Sequence, residues 1–124
     1  HDLSHHGKDP VKLEQLKIVE PGLMHLLREF LARLQSIQED GASLLDRTSV
    51  YLGSNLGDGS SHSIKNLPVL LAGGGFKHGA HLAFDPQNPP PLCNFYTTLL
   101  QRLGVTVDKF GTATGTLSGL EQAG

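Results

Sequence analysis

The strongest periodic signal in the chain runs from Leu23 to Ile37. Leu23, Leu26, Leu27, Phe30, Leu31, Leu34 and Ile37 recur at three- and four-residue steps, while Arg28, Glu29, Arg33, Gln35 and Gln38 fill the other face. That alternation predicts an amphipathic helix packed on one side, with Gly41 as its stop. Upstream, Val11, Leu13, Leu16 and Val19 carry an apolar face of their own. Asp9 fits the N-cap of this stretch and Pro10 its first helical position. Pro21-Gly22 lies between the two stretches and either kinks one long helix or starts a second.

Beyond a connector at Ser43–Arg47 the pattern changes. Thr48-Ser49-Val50-Tyr51-Leu52-Gly53 is β-branched and apolar, and predicts a buried strand. A polar, glycine-rich loop follows from Ser54 to Ser63, then a second apolar run, Leu67-Pro68-Val69-Leu70-Leu71-Ala72, ending in Gly73-Gly74-Gly75. Pro68 suits a strand opening better than a strand middle. A short edge strand is predicted near His81-Leu82-Ala83-Phe84, and Pro89-Pro90-Pro91 predicts a stiff extended segment. Asn94 reads as the N-cap of a last helix with Phe95, Leu99, Leu100 and Leu103 on its apolar face and Gly104 at its end. The Gly/Thr/Ser-rich stretch 109–124 reads as a surface tail.

This order predicts an α/β fold: a small layered sheet of about three strands, packed by the long amino-terminal helix and the later helix. The 124 residues suffice for a single domain with a modest core, preceded by a His-rich segment over residues 1–9. A sheet this small, in a chain beginning at His1 rather than Met, predicts a carboxy-terminal piece of a larger polypeptide. Its natural partner is then the upstream part of the same polypeptide, and a homodimer covering the exposed sheet edge is the alternative.

Composition removes several function classes. The net charge is −2 and basic residues are scattered without interleaved aromatics, which disfavours nucleic-acid binding. No apolar run approaches the length of a membrane span. The single Cys93 excludes an internal disulfide and has no base beside it in sequence, so it reads as a free thiol.

Three groups of residues can carry chemistry. His1, Asp2, His5 and His6 bring three imidazoles and a carboxylate within six residues, a donor set suited to a divalent metal such as zinc, manganese or iron. On a helical turn His1 would share a face with His5, and Asp2 with His6. The competing reading is an exposed, tag-like polar terminus. The second group, Asn55, Asp58 and His62, lies in the loop after the first strand, where ligands collect in open α/β sheets. Asp58 and His62 stand four apart and can ligate or pair with each other; a solvated turn is the plainer reading. The third group is Lys77, His78 and His81. The triple glycine before it lacks the spacing of a phosphate-binding loop. His25, beside the helical apolar stripe, reads as structural.

Taken together, HDLSHHG, TSVYLGSNLGDGSSHSIKNLPVLLAGGG, NFYTTLLQRLGV and FGTATGTLSGL resemble the carboxy-terminal part of the HXXSHH family of bacterial proteins, across nearly the whole chain. The motif H-x-x-S-H-H is complete in His1, Ser4, His5 and His6. That family in turn resembles, more distantly, the alkaline phosphatase–sulfatase superfamily. The resemblance implies part of an α/β sandwich, an exported or periplasmic location, and a divalent-metal site (zinc, manganese, iron or calcium) that cleaves phosphate or sulfate esters. Asp2 to His6 would stand for one ligand motif, Gly57-Asp58-Gly59 for a second and His62 for a third. No His follows Asp58, and the nucleophile would lie upstream, so this chain alone is expected to be inactive. The alternative is a non-catalytic exported or cell-surface binding module. A separation beyond roughly 12 Å between the amino-terminal histidines and His62 would exclude a shared ion.

Overall fold

A computed structural model describes residues 1–122 and shows mixed α and β structure with two small antiparallel sheets of two strands each. Helix α1 spans Pro10–Ser36, and Asp9 caps it by accepting a hydrogen bond from the Val11 amide at 2.8 Å. Pro21 lies inside this one helix, so the two apolar stretches are continuous rather than separate. The long helix forms as predicted, but much of its apolar face stays exposed. It buries no residue.

The helix ends before Gly41. Strands β1 (Gln38–Glu39) and β2 (Ala42–Ser43) form a small hairpin. Its turn residues Asp40 and Gly41 have φ of 49° and 79°. Positive φ at both central positions is the requirement of the tight hairpin turn that Asp-Gly favours. The connector is helical as well: α2 is a single turn, Leu44–Arg47, closed by a capping box. There the Asp46 amide donates to Ser43 Oγ at 3.1 Å, and the Ser43 amide donates to the Asp46 carboxylate at 2.9 Å.

Strands β3 (Ser49–Gly53) and β4 (Val69–Gly73) pair antiparallel, from Ser49 opposite Gly73 to Gly53 opposite Val69. Pro68 precedes β4, as its missing N–H requires. Gly73, Gly74 and Gly75 all take positive φ (71°, 66° and 68°), and a Cβ on Gly73 would strike the Leu45 and Thr48 carbonyls. The triple glycine is therefore a tight left-handed exit fitted against α2, not a flexible one. The predicted edge strand at His81–Phe84 does not form; the segment is irregular.

Helix α3 (Leu92–Arg102) carries the core. Phe95 is 3% exposed and Phe76 5%. Asn94 lies within the helix rather than at its cap, which is Pro91. Its amide side chain is buried and faces residue 114, accepting from the Thr114 amide at 2.8 Å and donating to Thr114 Oγ1 at 3.2 Å. The predicted tail is likewise anchored: Ala113 is buried, the Leu117 amide donates to Thr98 Oγ1 at 2.9 Å, and the Lys77 amide donates to the Glu121 carbonyl at 2.9 Å. A glycine- and threonine-rich segment can do this because its small side chains let its backbone lie close on α3.

Candidate functional site

The H-x-x-S-H-H segment folds into one turn. The His5 amide donates to the His1 carbonyl at 3.0 Å, which stacks the two rings with centroids 4.1 Å apart and planes 12° from parallel. The predicted shared face of His1 and His5 is present. Ser4 Oγ donates to the same His1 carbonyl at 2.9 Å.

The loop after β3 supplies the other side. The Gly57 amide donates to the Ser63 carbonyl at 2.8 Å and the Ser63 amide to the Asp58 carbonyl at 3.0 Å, closing the loop on itself. Its apex lies against the motif. A Cβ on Gly59 would meet the Ser4 carbonyl at 3.0 Å, and the Gly7 amide donates to Ser60 Oγ at 2.9 Å. His62 sits at φ 54°, a left-handed conformation that few non-glycine residues adopt and histidine more readily than most. The result is a convergence across 57 residues of sequence: His5 Nε2 and His62 Nε2 face each other at 2.5 Å, with the rings edge to face at 4.8 Å. The separation that would have excluded a shared ion does not exist.

Three of the remaining expected ligands, Asp2, His6 and Asp58, hold other partners. Asp2 is paired with Lys12 at 2.7 Å rather than sharing a site with His6, and this ammonium holds its carboxyl below the usual carboxylate range. His6 Nδ1 accepts the Lys8 amide at 2.9 Å, which leaves the proton of a neutral ring on Nε2 and removes its outward lone pair. Asp58 does not pair with His62. Its Oδ1 accepts the Ser60 and Ser61 amides at 2.8 and 3.3 Å, and these bonds lower its pKa, with a smaller pull from His6. Among the described residues no three His, Cys, Asp or Glu side chains form a ready-made metal cage. His78 Nε2 lies 2.9 Å from the Gly73 carbonyl. Cys93 accepts a hydrogen bond from Thr112 Oγ1 at 3.4 Å, which lowers the thiol pKa.

Two imidazole nitrogens on one tetrahedral zinc, each at about 2.0–2.1 Å, stand roughly 3.3 Å apart. The observed pair is closer than that by less than an ångström, so an ion between them would require the exposed His62 ring to draw back by that amount. The donor set thus fits a borderline metal by two of its ligands. Ser60, which stitches the loop to the motif through the Gly7 amide, carries no signal in spacing or composition that would have marked it beforehand. Compared with protein-family models, curated proteins and solved structures, the chain gives no match in any of the three.

Proposed function

We propose that His5 and His62 are two ligands of a divalent transition-metal centre, with zinc as the best-fitting ion, in a protein that hydrolyses phosphate or sulfate esters. The observation that carries this reading is the meeting of the two Nε2 atoms at 2.5 Å from distant parts of the chain. When bound, such an ion polarises an ester oxygen and lowers the pKa of bound water. The chain's own residues orient it: the one-turn motif aims His5, and the left-handed backbone at His62 aims the second ring. The resemblance assigns the nucleophile, the remaining ligands and the rest of an α/β sandwich to the upstream polypeptide.

Calorimetric titration with Zn²⁺ tests the metal centre. One ion per chain is expected in the wild type, with His5→Ala and His62→Ala each weakening binding at least tenfold; unchanged affinity in both variants overturns it. Hydrolysis is tested with p-nitrophenyl phosphate and sulfate on the chain joined to its upstream polypeptide. Metal-dependent turnover lost in His62→Ala is expected. A second reading, a metal-binding module without catalysis, is favoured by the commitment of Asp58 Oδ1 to its own loop. Tight Zn²⁺ binding with no turnover in that assay would establish it.

A further inference from the structure

We infer that Ser4 is a positioning residue that fixes the tautomer of His5 and so presents a free Nε2 lone pair to His62; this inference rests on the metal-centre reading. Three bonds carry it. His5 Nδ1 lies 3.1 Å from the His1 carbonyl oxygen and 3.1 Å from Ser4 Oγ. The Ser4 hydroxyl proton is directed at the same carbonyl, 2.9 Å away. A carbonyl oxygen only accepts, which favours an N–H at Nδ1, but this one already accepts the His5 amide and the Ser4 hydroxyl, so Ser4 Oγ is the acceptor left for the Nδ1 proton. With its own proton committed to His1, Ser4 Oγ offers Nδ1 a lone pair as well. Both neighbours of Nδ1 are therefore acceptors, and the proton of a neutral His5 ring resides there.

The consequence falls on the other nitrogen. His5 Nε2 is unprotonated, and the contact at 2.5 Å is a hydrogen bond donated by His62 Nε2–H. An unprotonated imidazole nitrogen is the form that ligates a metal, and a carbonyl or hydroxyl on the opposite ring nitrogen is the usual means of holding it so. His6 is the internal contrast. Its Nδ1 accepts a backbone amide, which puts its proton on the opposite nitrogen. Two adjacent histidines are thus set in opposite tautomers by their neighbours, and only His5 is set for a ligand at Nε2. For an ion to enter between the rings, His62 transfers its proton from Nε2 to Nδ1, while His5 needs no change.

Long-range ¹H–¹⁵N correlation spectra of the metal-free wild-type chain read the tautomers directly. His5 is expected with a protonated Nδ1 and an unprotonated Nε2; the reverse overturns the inference. In Ser4→Ala the His5 signals should shift toward a mixture of tautomers, and the dissociation constant for Zn²⁺ should rise 10- to 100-fold, the usual range for loss of such an outer partner. Ser4→Thr keeps the hydroxyl and should restore both readouts. Ser4→Cys, close in size but a weak donor, should behave like Ser4→Ala and serves if that variant does not fold. Unchanged tautomer in Ser4→Ala or Ser4→Cys overturns the positioning role. The failure of the metal-centre reading looks different: the spectra come out as expected, but Zn²⁺ does not bind the wild type.

Discussion

Helices α1 and α3 answer opposite questions about what an apolar stripe means. Helix α1 has the longest stripe in the chain, yet it buries no residue, and Val19, Leu23, Leu26 and Phe30 are each more than half exposed. Helix α3 is 11 residues long and buries Asn94, Phe95 and Thr97, two of them polar. The difference lies in what surrounds each. Helix α3 has β3 on one side, with the Tyr51 ring 5.3 Å from Phe95, and the returning carboxy-terminal segment on another. Helix α1 packs chiefly against small elements, α2 and β2. A hydrophobic period records which side of a helix avoids water, and not whether anything in the chain covers it.

The largest expected effect separates the two helices on stability. Phe95→Ala should cost about 3–5 kcal/mol, since it removes a buried aromatic ring and leaves a cavity. Leu26→Ala, at a position 67% exposed, should change stability by no more than about 0.5 kcal/mol. Urea denaturation of both variants checks the contrast. A loss at Leu26 approaching that at Phe95 would break it, because it would mean that the α1 ridge is covered in solution.

A smaller effect probes the join between α3 and the carboxy-terminal segment. Asn94→Ala removes the acceptor of the Thr114 amide in a part-buried setting and should cost about 0.5–1.5 kcal/mol. Hydrogen exchange should show the loss locally, with the Thr114 and Leu117 amides exchanging faster while those within β3 and β4 hold. Uniform acceleration across the chain would show instead that this segment and the sheet unfold as one unit.

Much of the fold was legible where local chemistry decides it. Asp9-Pro10 announced the start of α1, and both strands of the larger sheet fell inside their predicted runs because β-branched residues bounded by turn signals have few other options. The errors share a physical cause, which is that partners lie far away in sequence. Asn94 has the composition of a cap, but Thr114, 20 residues on, converts it into a buried anchor. The segment 109–122 looked like a tail because small residues promise little hydrophobic gain, whereas here smallness permits close approach. The candidate site divides in the same way. The motif's own turn, with His1 over His5, follows from residues four apart. The meeting of His5 with His62 depends on how the β3–β4 loop folds back, and spacing could not show that Lys12 takes Asp2 or that Ser60 and Ser61 take Asp58.

The smallest expected effect sits where the two regions meet, at the α2 turn between the β1–β2 hairpin and β3. Ser43 donates to the Asp46 carboxylate from both its hydroxyl, at 2.7 Å, and its amide, at 2.9 Å, and these bonds hold the carboxyl below its ordinary value of 3.8. A carboxyl whose folded pKa is depressed binds its proton more readily in the unfolded chain. Its contribution is therefore present above the unfolded value and is lost as pH falls through the folded one. Wild-type stability should drop more steeply below about pH 4 than that of Asp46→Asn, measured by urea midpoints from pH 6 down to pH 2. Above pH 5 the two curves should run parallel. Because Asp46 is solvent-exposed the difference should be small. It should also be confined to the hairpin side: the α1 amides near Ser36 should lose exchange protection in acid before those of α3, since α1 relies on α2 for packing and α3 does not. Loss of α3 protection at the same pH would place the capping box at the centre of one cooperative unit and erase the distinction between the two helices.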